Sequence, residues 1–273
     1  MNFKLNTLVA AALLVAAGSA NAAIDNGNTT NGTGSLFLVV TDTTAGYSFV
    51  GDLGVGMDSF LGASNVSNSW ALGSFGAWSG FTTAIGGDLT NATYAVYSFD
   101  NVGDAALGGV DAKRLLTTVA VGDDVSSYTT SNSKLVNAVG TANNTTWLVN
   151  GVQVDSNNVY NDHDTVADGS SYTNKAAAYS DAKIFGNLGN NVPFVTTVAA
   201  ADSADFWLLG TSPLTNGKYS TLGQVNLYQQ AGTFSLTGSA LSYTVAAVPE
   251  ADTYALMLAG LGLVGFMARR RCA

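Results

Sequence analysis

Apolar residues come in short runs divided by glycine, serine, threonine and asparagine, and within the runs a period of two is commoner than a helical one. SLFLVVTD, residues 35–42, sets Leu36, Phe37, Leu38, Val39 and Val40 in succession, which predicts a strand buried on both faces. YSFVGDLGVG follows at 47–56, with Tyr47 and Phe49 alternating against Ser48 until glycines interrupt. In YAVYSFD, 94–100, Tyr94, Val96 and Ser98 share one face while Ala95, Tyr97 and Phe99 share the other. KRLLTTVAV at 113–121, FWLLG at 206–210 and QVNLYQQ at 224–230 read as further strands. GTFSLTGSALSYTVAAV, 232–248, is a hairpin with one buried and one wet face: Phe234 and Leu236 alternate with Ser235 and Thr237, Gly238-Ser239 turns, and Leu241, Tyr243 and Val245 alternate on the return. Two segments, 131–142 and 174–188, suit helices; in the second, Ala177, Ala178, Asp181 and Phe185 have helical spacing, Asn174 can cap the start and Gly186 the end. Pro193, Pro213 and Pro249 all fall between these segments, where a missing N–H costs a sheet nothing. The pattern predicts a mostly β chain, an antiparallel sandwich-like domain with one or two short helices.

The two ends depart from this pattern. MNFKLNTLVAAALLVAAGSANAA places Lys4 before an unbroken apolar run at 8–17 and then Ala20-Asn21-Ala22, the order of a secretory signal peptide cut after Ala22. That run is too short to span a membrane. At the other end, residues 254–268 carry no charge, and Arg269, Arg270 and Arg271 follow. As a helix this stretch would reach about 22 Å, short of the roughly 30 Å hydrocarbon core. Snorkelling arginines and Tyr254 at headgroup level make up the difference, so a single transmembrane helix is expected. Dragging three arginines through the bilayer would cost on the order of 8–10 kcal/mol, so they stop transfer and leave the body outside. The chain therefore divides into a signal peptide at 1–22, a β-rich exported domain at 23–247 and a C-terminal signal at 248–273.

Charge narrows the partners. Four of the 10 basic and two of the 19 acidic residues lie in the ends, so the body keeps 6 and 17, a net of −11. Nucleic acid and anionic membrane surfaces both demand clustered Lys and Arg, and neither fits. The sole cysteine, Cys272, is penultimate, so the body has no disulfide of its own and no thiolate metal site.

Catalytic motifs are sparse. With one histidine, His163, and neither HExxH nor GxSxG, the body is expected to be non-catalytic; a hydrolase pairing His163 with Asp162 or Asp164 is the rival. Asp155, Asp162, Asp164 and Asp168 gather enough oxygen to suggest Ca²⁺, although their spacing is not that of an EF-hand loop, and a solvated loop is the simpler reading. No other cofactor is expected. In SWALGSFGAWSGF, Trp70 and Trp78 suit either a core or an exposed platform for stacking sugars.

Val248-Pro249-Glu250, a short spacer, the apolar glycine-bearing span and the terminal arginines resemble the PEP-CTERM sorting signal of exported proteins from Gram-negative bacteria. Glu250 is the only glutamate in the chain, and Ala251 stands where the family usually has a second proline. The resemblance covers only about the last 25 residues. It implies recognition by exosortase, a membrane sorting enzyme, with removal of the span. It also implies a transient stay in the inner membrane, then the cell surface or matrix, in bacteria that make exopolysaccharide, biofilms or flocs. A body that binds exopolysaccharide and a permanently anchored periplasmic protein stay open as alternatives.

Overall fold

The computed structural model describes residues 24, 25, 27, 34–101, 113–149, 163–165, 169–173, 192, 196–212, 223–246 and 261. The strands are β1 (Ser35–Asp42), β2 (Tyr47–Gly56), β3 (Asn68–Ala71), β4 (Ala92–Asp100), β5 (Arg114–Ala120), β6 (His163–Thr165), β7 (Ser170–Thr173), β8 (Val198–Ala199), β9 (Ser203–Thr211), β10 (Val225–Leu236) and β11 (Ala240–Val245). Three α-helices are described: α1 (Met57–Gly62), α2 (Gly76–Ala84) and α3 (Asn132–Val149).

All eleven strands join one antiparallel sheet in the order β3-β11-β10-β9-β5-β4-β1-β2-β7-β6, with β8 pairing β4 off this path. The expected sandwich is thus corrected to a single curled sheet, and helices rather than a second sheet cover its faces among the described residues. Adjacent twisted strands rotate relative to one another, so a ladder this wide curls. Its far parts meet: the Trp70 indole on β3 donates to the Leu53 carbonyl on β2 at 2.9 Å, although six strands lie between them in the ladder.

The curl follows from strands buried on both sides. Along β1, Leu36, Leu38 and Val40 enter one apolar cluster while Phe37 and Val39 enter another. The inner cluster is filled by α1 and α2. Phe60 of α1 meets Phe206 at 5.2 Å and Tyr243 at 5.0 Å between ring centroids, and Trp78 of α2 meets Phe49 edge-on at 4.9 Å. On the opposite face α3 lays down Leu135, Ala138 and Val139, at helical spacing, beside Phe99, Leu115 and Leu209. Asn132 anchors that helix, donating to the Ser212 hydroxyl at 3.0 Å and accepting the Ser212 N–H at 3.0 Å.

The glycines expected to break β2 do not end it. Gly54 takes φ +68°, a conformation open to glycine, and the strand runs on to Gly56. The helix suited to 131–142 is α3; the one suited to 174–188 lies outside the described residues.

Candidate functional site

The last described strand leads into the C-terminal residues where the sequence predicts a sorting signal. β11 pairs β10 from Leu236↔Leu241 to Gly232↔Val245 and pairs β3 on its other side. Its end is clamped: the Val245 N–H donates to the Ser67 hydroxyl at 3.0 Å. The buried Tyr243 hydroxyl accepts the Gly232 N–H at 2.8 Å and donates to the Ser64 carbonyl at 2.8 Å. Burial raises the Tyr243 pKa, so the hydroxyl keeps its proton as donor. Gly232 is required here, since a Cβ would fall 2.6 Å from the Tyr243 ring and 2.8 Å from the Thr244 carbonyl oxygen. The motif Val248, Pro249, Glu250 begins two residues past Ala246 and lies outside the described residues, as do Arg269, Arg270, Arg271 and the cleavage residues Ala20 and Ala22. Among the described residues no helix is long and apolar enough to cross a membrane; Leu261, inside the expected span, is helical.

The two tryptophans lie within the fold. Trp78 is 4% exposed, packed between Phe49 and Phe81, so no ring face is open to a sugar. Trp70 is half-buried, stacked over Phe234 at 6.1 Å with its N–H on Leu53. Both follow from a sequence that sets Trp70 on an edge strand and Trp78 on the inner stripe of α2 with Ala77 and Phe81.

His163 and Asp164 fall on β6 rather than in an open loop, paired with Thr173 and Tyr172 of β7 at the end of the ladder. Asp155, Asp162 and Asp168 lie outside the described residues. Among the described residues no three His, Cys, Asp or Glu side chains gather to hold a metal.

Charged groups that sequence reasoning passed over sit deep in the sheet. Arg114 on β5, its side chain 2% exposed, donates from Nε to Asp100 at 2.7 Å and from Nη1 to Asp58 at 2.6 Å. Burial pulls the guanidinium pKa down, but the two carboxylates, Asp58 foremost, outweigh it and hold it above the usual value. Asp100 belongs to β4 and Asp58 to α1, so the triad pins the inner helix to the sheet. The only signal for it was a charged residue ending each of two apolar strands.

Asp52 on β2 is the opposite case. One carboxylate oxygen accepts the Gly54 N–H at 2.8 Å; the other is buried and, among the described residues, has no hydrogen-bond partner. Burial pushes its pKa up to about 6, the Gly54 N–H and the Ser35 hydroxyl oppose this, and the charge of Asp25 adds to it.

A β-rich body locked up to Val245, followed at once by an acidic-proline motif, an apolar stretch and terminal arginines, defines the class: a domain delivered by a C-terminal signal. Residues 247–271 match the family model of the PEP-CTERM protein-sorting motif, so the chain carries that motif at its C-terminal end. The motif implies export, sorting to the cell surface and an exosortase as processing partner. No curated protein and no solved structure matches the chain.

Proposed function

We propose that the chain is an exported, non-catalytic surface or extracellular-matrix protein. An exosortase-type enzyme cuts it near Pro249-Glu250, and the span at 254–268 holds it in the inner membrane until then. The body, with its small share of charged residues and its abundance of Gly, Ser, Thr and Asn, contributes to biofilm or floc structure in an exopolysaccharide-rich surrounding. The observation that carries this reading is the sorting-motif match at 247–271, which begins just past the last sheet strand and so leaves the folded body whole when the tail is removed.

The test is the chain's fate in cells with and without their sorting enzyme. With it, the shortened chain collects at the surface or in the matrix. Without it, the full-length chain collects in the inner membrane fraction. Full-length chain at the surface in both strains would refute removal of the tail and favour a permanent anchor.

A further inference from the structure

The clamped end of β11 limits how far the body can stand from the enzyme that reads its tail. Val245 is fixed to β10 and to Ser67, and Pro249 follows four residues later. Even fully extended, that chain reaches at most about 14 Å. A folded body of this size has a radius of gyration of about 17 Å, so it cannot swing clear. Whatever holds Pro249-Glu250 must meet the corner of the sheet where β11 ends.

That corner has a consistent chemistry. Asn65 and Ser67, in the loop between α1 and β3, Ala231 on β10, and Thr244 and Ala246 at the end of β11 are all exposed, and all are uncharged in a body of net −11. The corner is also rigid. Tyr243 ties the loop to β10 through Ser64 and Gly232, and Ser67 ties the loop to Val245. A preformed surface loses little entropy on contact, and a short tether raises the local concentration so that weak contacts count.

We propose that this corner, Asn65, Ser67, Ala231 and Thr244, is a second contact surface for the sorting enzyme, engaged while the enzyme holds the motif. The inference rests on the sorting reading above and adds to it that the folded body takes part in recognition.

The test uses the full-length chain in cells that carry the sorting enzyme, with pulse-chase following loss of the tail. Four forms are compared: the natural chain, Asn65→Glu with Thr244→Glu, a flexible Gly/Ser insertion between Ala246 and Ala247, and both changes together. An insertion of roughly twenty residues spans about 25 Å root-mean-square, enough to free the body. The glutamate pair is expected to slow cutting about tenfold at the natural spacing, by placing unpaired charge against the enzyme. With the insertion present, the same pair should cut at the rate of the insertion alone. Unchanged cutting by the glutamate pair at the natural spacing overturns the proposal, as does equal slowing with and without the insertion. A natural chain that is never cut overturns the sorting reading itself, and this inference with it.

Discussion

Replacing Asp52 by Asn isolates a single buried charge. Asp52 is 5% exposed, and burial holds its pKa near 6 against 3.8 for a free carboxyl. The folded state therefore keeps a proton that the unfolded chain releases as pH rises from about 4 to about 6. More protons on the native state means that stability falls through this window and levels off above it. A difference of about two pKa units corresponds to about 3 kcal/mol. Asp52→Asn keeps an acceptor for the Gly54 N–H but cannot ionise, so it escapes the loss. Urea unfolding of the natural and variant chains at pH 4 and pH 8 should show the variant gaining about 2.5 kcal/mol relative to the natural chain between the two, roughly 5–10 °C in Tm for a body of this size. A gap that stays constant between pH 4 and pH 8 would refute the reasoning, by showing that Asp52 ionises as freely in the fold as in the unfolded chain. A gap that narrows with pH would show a carboxylate held charged by a partner.

Four further outcomes follow from the same structure. Arg114→Met should destabilise the body by about 3–5 kcal/mol in urea unfolding, because it takes the ion-pair partner from the fully buried Asp100 carboxylate; Asp58→Ala should cost less, about 1–2 kcal/mol, because it removes the acceptor of the buried Nη1 while the Asp100 pair stays. Trp78→Ala should lower stability by about 3–5 kcal/mol, read as a fall in the urea midpoint, since the ring fills the space beside Phe49 and Phe81. Gly232→Ala should lower Tm by several degrees, because the new methyl meets the Thr244 carbonyl backbone that cannot swing aside.

Seven of the described strands were legible: 35–42 and 206–210 show as unbroken apolar runs within β1 and β9, and the 232–248 hairpin shows by alternation as the end of β10 with β11, whereas the short β3, β6, β7 and β8 went unread. What covers the faces of the sheet was not legible. Leu36 and Phe37 point opposite ways in either arrangement, and nothing local separates a second sheet from helices packed inside a curl. α1 and α2 went unread because Gly, Ser and Thr are weak helix formers, yet Met57 with Phe60, and Ala77 and Trp78 with Phe81, already had helical spacing. The Arg114 triad is a long-range fact: its members lie 14 and 56 residues apart, and only the sheet order brings them together. The C-terminal signal was the reverse, since a linear motif needs no fold to be read.

The most direct measurement is the mass of the mature chain's C-terminus, taken on protein recovered from the surface or matrix of the native bacterium. The expected product ends within a few residues of Glu250 and lacks the span at 254–268 and all three arginines. Surface molecules that still carry Arg271 would contradict removal of the tail.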